Sequence, residues 1–309
     1  MTLALLDSAS LYFRAFYALP DSMRAPDGTA VNAVRGFTDT VARIITDRRP
    51  TRLVACLDAD WRPAFRVEAL PTYKAHRVAD EGDGIEEDVP DLLSPQVPII
   101  LDLLDAFGLC TAEAIGYEAD DVIGALAHRE ATDPVEVISG DRDMFQVVRH
   151  TPTPATVWYV GRGWNKVEVI GPAELAEKYD LPDEDTGPRY ADMAVLRGDP
   201  SDGLPGVPGI GEKTAAKLIR EFGSLPALRE AAAAGDKRIP KRAQTNLLAS
   251  ADYLDAAPTV VAVAVDAPVM LDREDKVPSA PADIDRVMAL KKQWDLGASV
   301  DRLLKAISG

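Results

Sequence analysis

Cysteine and histidine are scarce in this chain of 309 residues, which contains two cysteines and three histidines. Cys56 and Cys110 both lie in apolar surroundings, their spacing fits no zinc motif, and the histidines do not complete one. We therefore expect neither a disulfide framework nor a zinc site. The two thiols are expected to be core residues in a reducing compartment.

Long hydrophobic runs are also lacking. No stretch reaches the roughly eighteen apolar residues that suggest a membrane-spanning helix. The N-terminus has no basic segment before its first apolar run and meets Asp7 at once, unlike a signal peptide. These absences predict a cytoplasmic protein that does not associate with a membrane.

Strand-like and helical patterns alternate along the first half of the chain. Apolar runs typical of buried strands are followed by stretches with the spacing of amphipathic helices. The runs lie at 3–6, 53–57 and 135–138, and the helical stretches at 9–18, 31–47, 99–107 and around 122–127. This order predicts an α/β fold with a mostly parallel central sheet.

The rest of the chain has a different pattern. Residues 155–169 predict a β-hairpin, and from Pro172 onwards the sequence is mainly helical, with a strand-like run at 259–265. We therefore expect two domains, at about 1–170 and 171–309.

Acidic side chains follow each of the three predicted strands. Asp7, Asp58 and Asp141 stand at the carboxyl ends, where ligands bind in parallel sheets. Any one of them could simply cap the next helix by accepting backbone N–H bonds. Three strands that all end in an acid favour a shared site instead.

A second group of acids is too dense for capping alone. Glu118, Asp120 and Asp121 place three negative charges in one turn, which disfavours their ionisation unless a cation neutralises them. Two divalent ions about 4 Å apart do this in enzymes that displace phosphoryl groups. The candidate metal ligands are nine carboxylates: Asp7, Asp58, Glu118, Asp120, Asp121, Asp141, Asp143, Asp199 and Asp202.

Basic charge is in the minority, with 34 Lys and Arg against 50 Asp and Glu and a net charge of −16, which argues against a nucleic-acid partner. Taking the nine clustered carboxylates from the 50 acids leaves 41 against 34 bases, a net charge of −7. Basic residues are also grouped between 62 and 77, where Trp61, Phe65 and Tyr73 are interleaved with them. Such a run is usually a solvated face, but cations mixed with aromatics suit phosphates and stacked bases.

Residues 78–91 are acidic and show neither helical nor strand periodicity, and we interpret them as a mobile loop or arch.

The glycine-rich turn from Gly206 to Gly211 has three interpretations. It nearly matches a P-loop, but Glu212 separates glycine from lysine and no strand precedes it. It could be an ordinary connection between helices. We prefer a hairpin that presents backbone N–H groups and a helix N-terminus to a DNA phosphate, with the contact extended by Lys213, Lys217 and Arg220 on the following helix.

Several motifs occur together and in order along most of the chain. They lie at 6–7, 12–16, 57–58, 65–68, 73–77, 117–121 (YEADD), 139–146 (SGDRDMFQ) and 198–215 (GDPSDGLPGVPGIGEKTA). In these segments the chain resembles bacterial 5′→3′ exonucleases, which are related to flap endonucleases and to the N-terminal domain of DNA polymerase I.

The resemblance implies a PIN-like nuclease core at 1–170, with an arch at about 73–98. A helix-hairpin DNA-binding domain of the H2TH type and C-terminal helices would follow at 171–309. The first divalent ion, Mg²⁺ or Mn²⁺, would be served by Asp7, Asp58, Glu118 and Asp120. The second would be served by Asp141, Asp143, Asp199 and Asp202, with Asp121 nearby.

The resemblance also implies roles for basic residues and for the turn. Lys74 and Arg77 would contact the scissile phosphate as catalytic residues, and the turn carbonyls would hold a K⁺ ion. The implied DNA contacts are Arg14, Arg66, Tyr73, His76, Gly206, Val207, Gly209, Ile210, Gly211, Lys213 and Lys217.

We therefore expect a monomeric, metal-dependent nuclease that cuts 5′ ends and 5′ flaps in DNA, and RNA primers, during replication and repair. A structure-specific DNA-binding protein without catalysis is the alternative, and it would be indifferent to chelation. An aspartyl phosphatase is disfavoured, because Asp7-Ser8-Ala9 lacks the second Asp of the Asp-x-Asp motif that such an enzyme uses.

Two features of the sequence depart from the pattern of the 5′→3′ exonuclease family. Residues 80–88 are acidic, which would weaken the grip of the arch on a single strand, and no polymerase domain follows residue 309, so we expect a stand-alone form.

Overall fold

A single mixed sheet forms the centre of the fold. The structure is a computed structural model that describes residues 1–78 and 87–309. In that part of the chain the strands are β1 (Leu3–Asp7), β2 (Arg52–Cys56), β3 (Cys110–Glu113), β4 (Val135–Ser139), β5 (Ala155–Tyr159), β6 (Glu168–Ile170) and β7 (Met270–Leu271). Their order is β6-β5-β4-β1-β2-β3-β7, with β6 and β7 antiparallel at the two edges and every other pair parallel. The predicted α/β fold with a mostly parallel sheet is confirmed.

Strand β1 shows why its sequence is a continuous apolar run. It pairs with β2 on one side and β4 on the other, so that Leu3 lies opposite both Arg52 and Val135. Leu3 and Leu5 point into the core on one face of the sheet, and Ala4 and Leu6 into the core on the other. Because both faces are covered, alternation with polar residues would place polar groups in an apolar core.

Helices cover both faces of the sheet. They are α1 (Ser8–Ala18), α2 (Asn32–Arg48), α3 (Ala64–Ala69), α4 (Gln96–Phe107), α5 (Ala119–Arg129), α6 (Pro172–Tyr179), α7 (Thr186–Arg197), α8 (Glu212–Phe222), α9 (Leu225–Ala233), α10 (Lys241–Ala249), α11 (Ala251–Val261), α12 (Ile284–Gln293) and α13 (Gly297–Ile307). Residues of α2, α4 and α13 share one core, while residues of α5 share the other with those of α7 to α11. No helix in the described ranges is both long enough and apolar enough to span a membrane.

The end of the chain returns to the sheet. Strand β7 pairs with β3, the Leu53 N–H donates to the Asp275 carbonyl (2.8 Å), and α13 packs along α2. Val300, Leu303 and Ile307 of α13 are buried in the core that α2 lines. The last two helices, which the sequence grouped with the second domain, thus share the core that α2 and α4 line.

Two local expectations meet different outcomes. Strands β5 and β6 form the antiparallel pair predicted as a hairpin at 155–169. The prediction of a strand at 259–265 is wrong, because α11 continues to Val261 and the chain then runs without regular structure to 265. Its β-branched residues suggested a strand, but the buried helix face of α11 decided the conformation. Residues 79–86, the centre of the expected acidic arch, lie outside the described residues.

Candidate active site

A cavity of about 470 Å³ opens beyond the carboxyl ends of β1, β2 and β4. Parallel pairing brings these ends to one edge, with Asp7 of β1 opposite Cys56 of β2. Five of the predicted carboxylates and both predicted catalytic cations line it: Asp7, Asp58, Glu118, Asp120, Asp141, Lys74 and Arg77. The convergence that the strand ends predicted is therefore present for this group.

Asp7 is held at the start of α1. Its Oδ1 accepts the Ser10 N–H (3.1 Å) as a helix cap, and its Oδ2 accepts the Ser139 hydroxyl (2.5 Å) from the end of β4. Burial, together with the charges of Asp58 and Asp141, raises the pKa of Asp7 to about 7, and the hydrogen bonds from Ser139 and Ser10 oppose this shift. Asp7 can therefore cap α1 and still bind a ligand in the cavity, because each of its oxygens keeps a lone pair for another partner.

Asp58 and Asp120 face the same space. Asp58 Oδ1 accepts the Ala119 N–H (2.7 Å), which fixes the loop after β2 to the start of α5. The Asp120 carboxylate has no hydrogen bond to the described residues. Burial, then the charges of Asp7 and Asp141, raise the pKa of Asp120 well above its ordinary value. Burial also raises the pKa of Asp58.

Glu118 is the most heavily hydrogen-bonded of these carboxylates. Its Oε2 accepts from Arg66 Nη1 (2.6 Å) and from the Tyr73 hydroxyl (2.6 Å), and its Oε1 accepts from Lys74 Nζ. Burial alone would lower the pKa of the Lys74 ammonium, but Glu118 and Asp202 raise it above its usual range. Only Oε1 keeps a lone pair for a further ligand.

Asp121 does not belong to the cavity. Its two oxygens accept a bidentate pair of bonds from Arg66 (2.7 Å each), together with the N–H groups of Glu118 (3.2 Å) and Ala264 (2.8 Å). All four lone-pair positions are therefore used within the protein. The prediction of Asp121 as a metal ligand is corrected: it is the buried counter-ion of Arg66.

Two further predictions for this region are corrected. Arg66 is 2% exposed and Tyr73 is 3% exposed, so neither side chain is available to DNA. Tyr73 uses its hydroxyl on Glu118 rather than its ring on a base. Arg14 lines the cavity, crosses Gly140 and forms no ion pair with the described residues, and His76 is exposed.

A second cavity of about 460 Å³ adjoins the first. Asp141 lines both cavities, and Asp143 and Asp199 line the second. Burial, then the charges of Asp141 and Asp202, raise the pKa of Asp143 well above its ordinary value. Asp199 caps the 3-10 helix Pro200–Asp202 by accepting the Ser201 N–H (2.8 Å).

Two residues of this second cavity were missed by the sequence argument. Arg197 at the end of α7 and Glu212 at the start of α8 both line it and approach each other at 3.5 Å. Glu212 was noted only because it breaks the P-loop pattern. Its helix-start position after the glycine turn could have marked it as another acid facing the cluster.

Asp202 joins the two parts of the chain. It accepts from Arg77 Nη2 (2.8 Å), and its carbonyl accepts the Lys74 N–H (3.0 Å). The Thr72 hydroxyl donates to the next carbonyl, that of Gly203 (2.9 Å). Burial raises the pKa of Asp202, while Lys74 and Arg77 oppose the shift. The basic segment is thereby fixed against the loop that carries the last two acids.

The donor chemistry of the two cavities fits divalent cations of the Mg²⁺ class, which prefer oxygen ligands and keep several waters. The carboxylates of Asp120 and Asp143 have raised pKa values and accept no hydrogen bond from the described residues. No three His, Cys, Asp or Glu side chains in residues 1–78 and 87–309 already form a group that could hold a metal ion. The fit therefore rests on the type and charge of the donors.

The glycine-rich turn presents only part of its predicted surface. Gly206, Val207 and Ile210 are buried, and the N–H groups of Val207 and Ile210 donate to carbonyls within the protein. Because these residues are buried and the N–H groups of Val207 and Ile210 are already used within the protein, the prediction of Gly206, Val207 and Ile210 as DNA contacts is corrected. Gly209 and Gly211 are exposed, and neither N–H donates to a described residue. Lys213 and Lys217 are exposed on the helix that follows.

Comparisons with known proteins agree with this architecture. A family model for the N-terminal, resolvase-like domain of 5′-3′ exonucleases matches residues 2–180, and one for their C-terminal SAM fold matches 186–284. The phage T5 D15 flap endonuclease, solved as a pseudo-enzyme-product complex with DNA and metal ions, has a TM-score of 0.65 at 18% identity over the whole of both chains. Human GEN1 with Holliday junction DNA has a TM-score of 0.64 at 16% identity, over 99% of this chain and 71% of that one. These likenesses confirm the predicted PIN-like core and helical second part.

Curated relatives are closer in sequence. A 5′-3′ exonuclease of Mycobacterium tuberculosis is 53% identical over 309 residues, which cover 99% of this chain and 97% of that protein. A 5′-3′ exonuclease of Streptomyces coelicolor is 50% identical over 98% of this chain and 99% of its own length. DNA polymerase I of Mycobacterium tuberculosis is 42% identical over 74% of this chain, but over 24% of the polymerase. The chain belongs to the 5′-3′ exonuclease family.

Proposed function

We propose that this protein is a divalent-metal-dependent 5′→3′ exonuclease and 5′ flap endonuclease that hydrolyses phosphodiester bonds in DNA. The observation that carries the proposal is the cavity at the carboxyl edge of the sheet, where Asp7, Asp58, Asp120 and Asp141 face Lys74 and Arg77. A cavity lined by both acids and cations suits an anionic ligand, because the cations contact it directly and the acids hold metal ions that contact it. A phosphodiester is such a ligand.

Lys74 and Arg77 are the proposed phosphate-binding residues. Arg77 is about one-third exposed, so its guanidinium can meet an incoming phosphate while it holds Asp202. Lys74 keeps its charge through Glu118 and Asp202 despite burial. Both would stabilise the negative charge that develops on the phosphoryl oxygens as the bond breaks.

Two groups of carboxylates would hold the metal ions. The first is Asp7, Asp58, Asp120 and one oxygen of Glu118, and the second is Asp141, Asp143, Asp199 and Asp202. When bound, two ions of the Mg²⁺ or Mn²⁺ type would supply an activated water and stabilise the leaving 3′ oxygen. The protein's own contribution is to fix these acids through Ser10, Ser139 and the Ala119 N–H.

The helical part, beginning near residue 171, would bind the duplex beside the cleavage point. The exposed N–H groups of Gly209 and Gly211 are available for a DNA phosphate, and Lys213 and Lys217 extend that surface. Arg14 and His76 would contact the strand near the cavity. The K⁺ ion at the turn and the activity on RNA primers stay predictions.

The proposal is tested by digesting a 5′-labelled flap duplex with Mg²⁺ and with a chelator, and sizing the products. We expect short 5′ fragments with Mg²⁺ and none with chelator. The Asp141→Asn variant should lose cleavage while it keeps most of its affinity for the same DNA. Asp252→Asn, an exposed acid of α11 outside both cavities, is the matched control and should cut like the wild type.

Cleavage that continues in the chelator would overturn the metal-dependent mechanism. DNA binding without cleavage at any divalent metal would instead support a binding protein without catalysis. Near wild-type turnover by Asp141→Asn would reject the second group of ligands.

A further inference from the structure

A buried ionic cluster lies directly behind the acid cavity. Its members are Arg66 of α3 and the two acids Glu118 and Asp121 at the start of α5, none of them more than 4% exposed. Arg66 spans both carboxylates: Nη1 donates to Glu118 (2.6 Å) and to Asp121 (2.7 Å), and Nη2 donates to Asp121 (2.7 Å). One guanidinium thus sets the relative position of a cavity acid and a core acid.

The cluster fixes Glu118 through both its backbone and its side chain. Asp121 accepts the Glu118 N–H (3.2 Å) in a capping box, while Arg66 holds the Glu118 carboxylate. A carboxylate held only by Tyr73 and Lys74 could rotate about its flexible side chain. The bond to Arg66, itself locked by a bidentate pair, removes that freedom.

The same cluster reaches the end of α11 in the helical part. Arg66 donates to the carbonyls of Val260 (3.0 Å) and Ala262 (3.3 Å), and Asp121 accepts the Ala264 N–H (2.8 Å). A Cβ on Gly124, one turn along α5, would come within 2.6 Å of Val263, so the two segments are in close contact there. The cavity wall and the helical part are therefore joined through one buried cation.

Stability alone does not account for such a cluster. Buried ion pairs are often replaceable by well-packed apolar residues of similar volume at little cost, because desolvation offsets their attraction. What apolar residues cannot do is orient Glu118 or bind the carbonyls of α11. We propose that Arg66 and Asp121 are positioning residues that hold Glu118 in its productive orientation and couple it to the end of α11. This inference rests on the proposed nuclease function of the cavity.

The main test replaces the pair by apolar residues of similar size, Arg66→Met with Asp121→Leu. We expect kcat on the flap substrate, measured below the unfolding range, to fall at least tenfold and KM to change less than twofold. The melting temperature should fall as well, because the carbonyls of Val260 and Ala262 and the N–H groups of Glu118 and Ala264 lose their partners. The matched control is Arg52→Met, which breaks another arginine–acid cluster, with Glu130, Asp133 and Asp275, away from the cavity. It should lower the melting temperature and leave kcat unchanged.

Wild-type kcat in the folded double variant would overturn the proposal, because the pair would then be structural only. If the double variant does not fold, Arg66→Lys decides instead. Lysine keeps the charge but cannot reach both carboxylates, so we expect a tenfold loss of kcat with a smaller stability loss than in Arg52→Met. Wild-type kcat in a folded Arg66→Lys would likewise reject a positioning role.

Hydrogen exchange with a chelator present gives a readout that does not depend on cleavage. In the wild type we expect slow exchange at Ala264, whose N–H is bound by Asp121. In Asp121→Asn, Ala264 and Ala119 should both exchange faster, because the start of α5 and the end of α11 loosen together. Loosening of only one site would disprove the coupling. A wild-type protein that cuts no DNA would defeat the proposed function and leave this result interpretable.

Discussion

Gly203 offers the sharpest test of how the two parts of the chain are joined at the site. It lies between Asp202 and Leu204 with φ +74, and a Cβ built on it would stand 2.0 Å from the Thr72 carbonyl oxygen. Because the obstructing atom is backbone, it cannot turn aside as the end of a side chain would. Gly203→Ala should therefore push the 72–74 segment away from the 199–203 loop.

The expected cost has two parts. A left-handed conformation costs alanine roughly 1–2 kcal/mol. Separation also loses the hydrogen bonds from Thr72 Oγ1 to Gly203 O (2.9 Å) and from Lys74 N to Asp202 O (3.0 Å). At about 1 kcal/mol each, they bring the loss of unfolding free energy to roughly 3–4 kcal/mol. For a chain of this size the melting temperature should fall by roughly 5–6 °C.

Activity should fall further than stability suggests, because displacement of residue 74 moves the Lys74 ammonium from Glu118. We expect kcat on a 5′ flap to drop at least tenfold below the unfolding range. The control is Gly28→Ala, which has φ +93 but no atom within 4 Å of the added Cβ. It carries the same backbone strain without the collision. If both variants melt and cut alike, the close contact at Gly203 does not position the site.

Two further predictions concern other parts of the molecule. Burial would raise the pKa of Glu130, but hydrogen bonds from two backbone N–H groups and from Arg52 lower it from 4.5 to about 2. The ionised carboxylate therefore stabilises the folded state by roughly 3 kcal/mol. This stabilisation is present above pH 4.5 and is lost as the pH falls towards 2. Urea unfolding should therefore show a Glu130→Gln deficit that is constant above about pH 5 and shrinks in acid, and a deficit independent of pH would contradict this. Lys213→Gln and Lys217→Gln should each weaken duplex binding regardless of sequence and reduce the salt slope by about 1, measured by fluorescence anisotropy at several salt concentrations. An unchanged slope would remove these lysines from the DNA surface.

The sheet and its acidic edge were predictable because an apolar run followed by Asp indicates both the strand and the acid at its end. A buried parallel strand is apolar throughout, so an Asp that ends the run marks the strand and its carboxyl end together. Asp7, Asp58 and Asp141 were located in this way, and they line one cavity. The short strand β3 and the edge strand β7 beside it lack such a run and were not found.

The burial of Arg66 and Tyr73 could not be predicted from local pattern. Both lie in a basic, aromatic stretch that has the composition of an exposed binding surface. Their burial depends on Glu118 and Asp121, which are more than forty residues away in sequence. The same dependence explains the error at 259–265, where the local preference for a strand was overridden by the packing of α11.

The return of the chain through β7 has a mechanical consequence. The helical part leaves the sheet after β6 at one edge and rejoins it through β7 at the opposite edge. Between these two attachments its helices α7 to α11 share a buried core with α5, so the helical part is held along its length, unlike a domain on a single linker. The turn near Gly209 is therefore fixed in position relative to the acid cavity. For the proposed nuclease, the fold itself would then set the angle at which a bound strand reaches the acids.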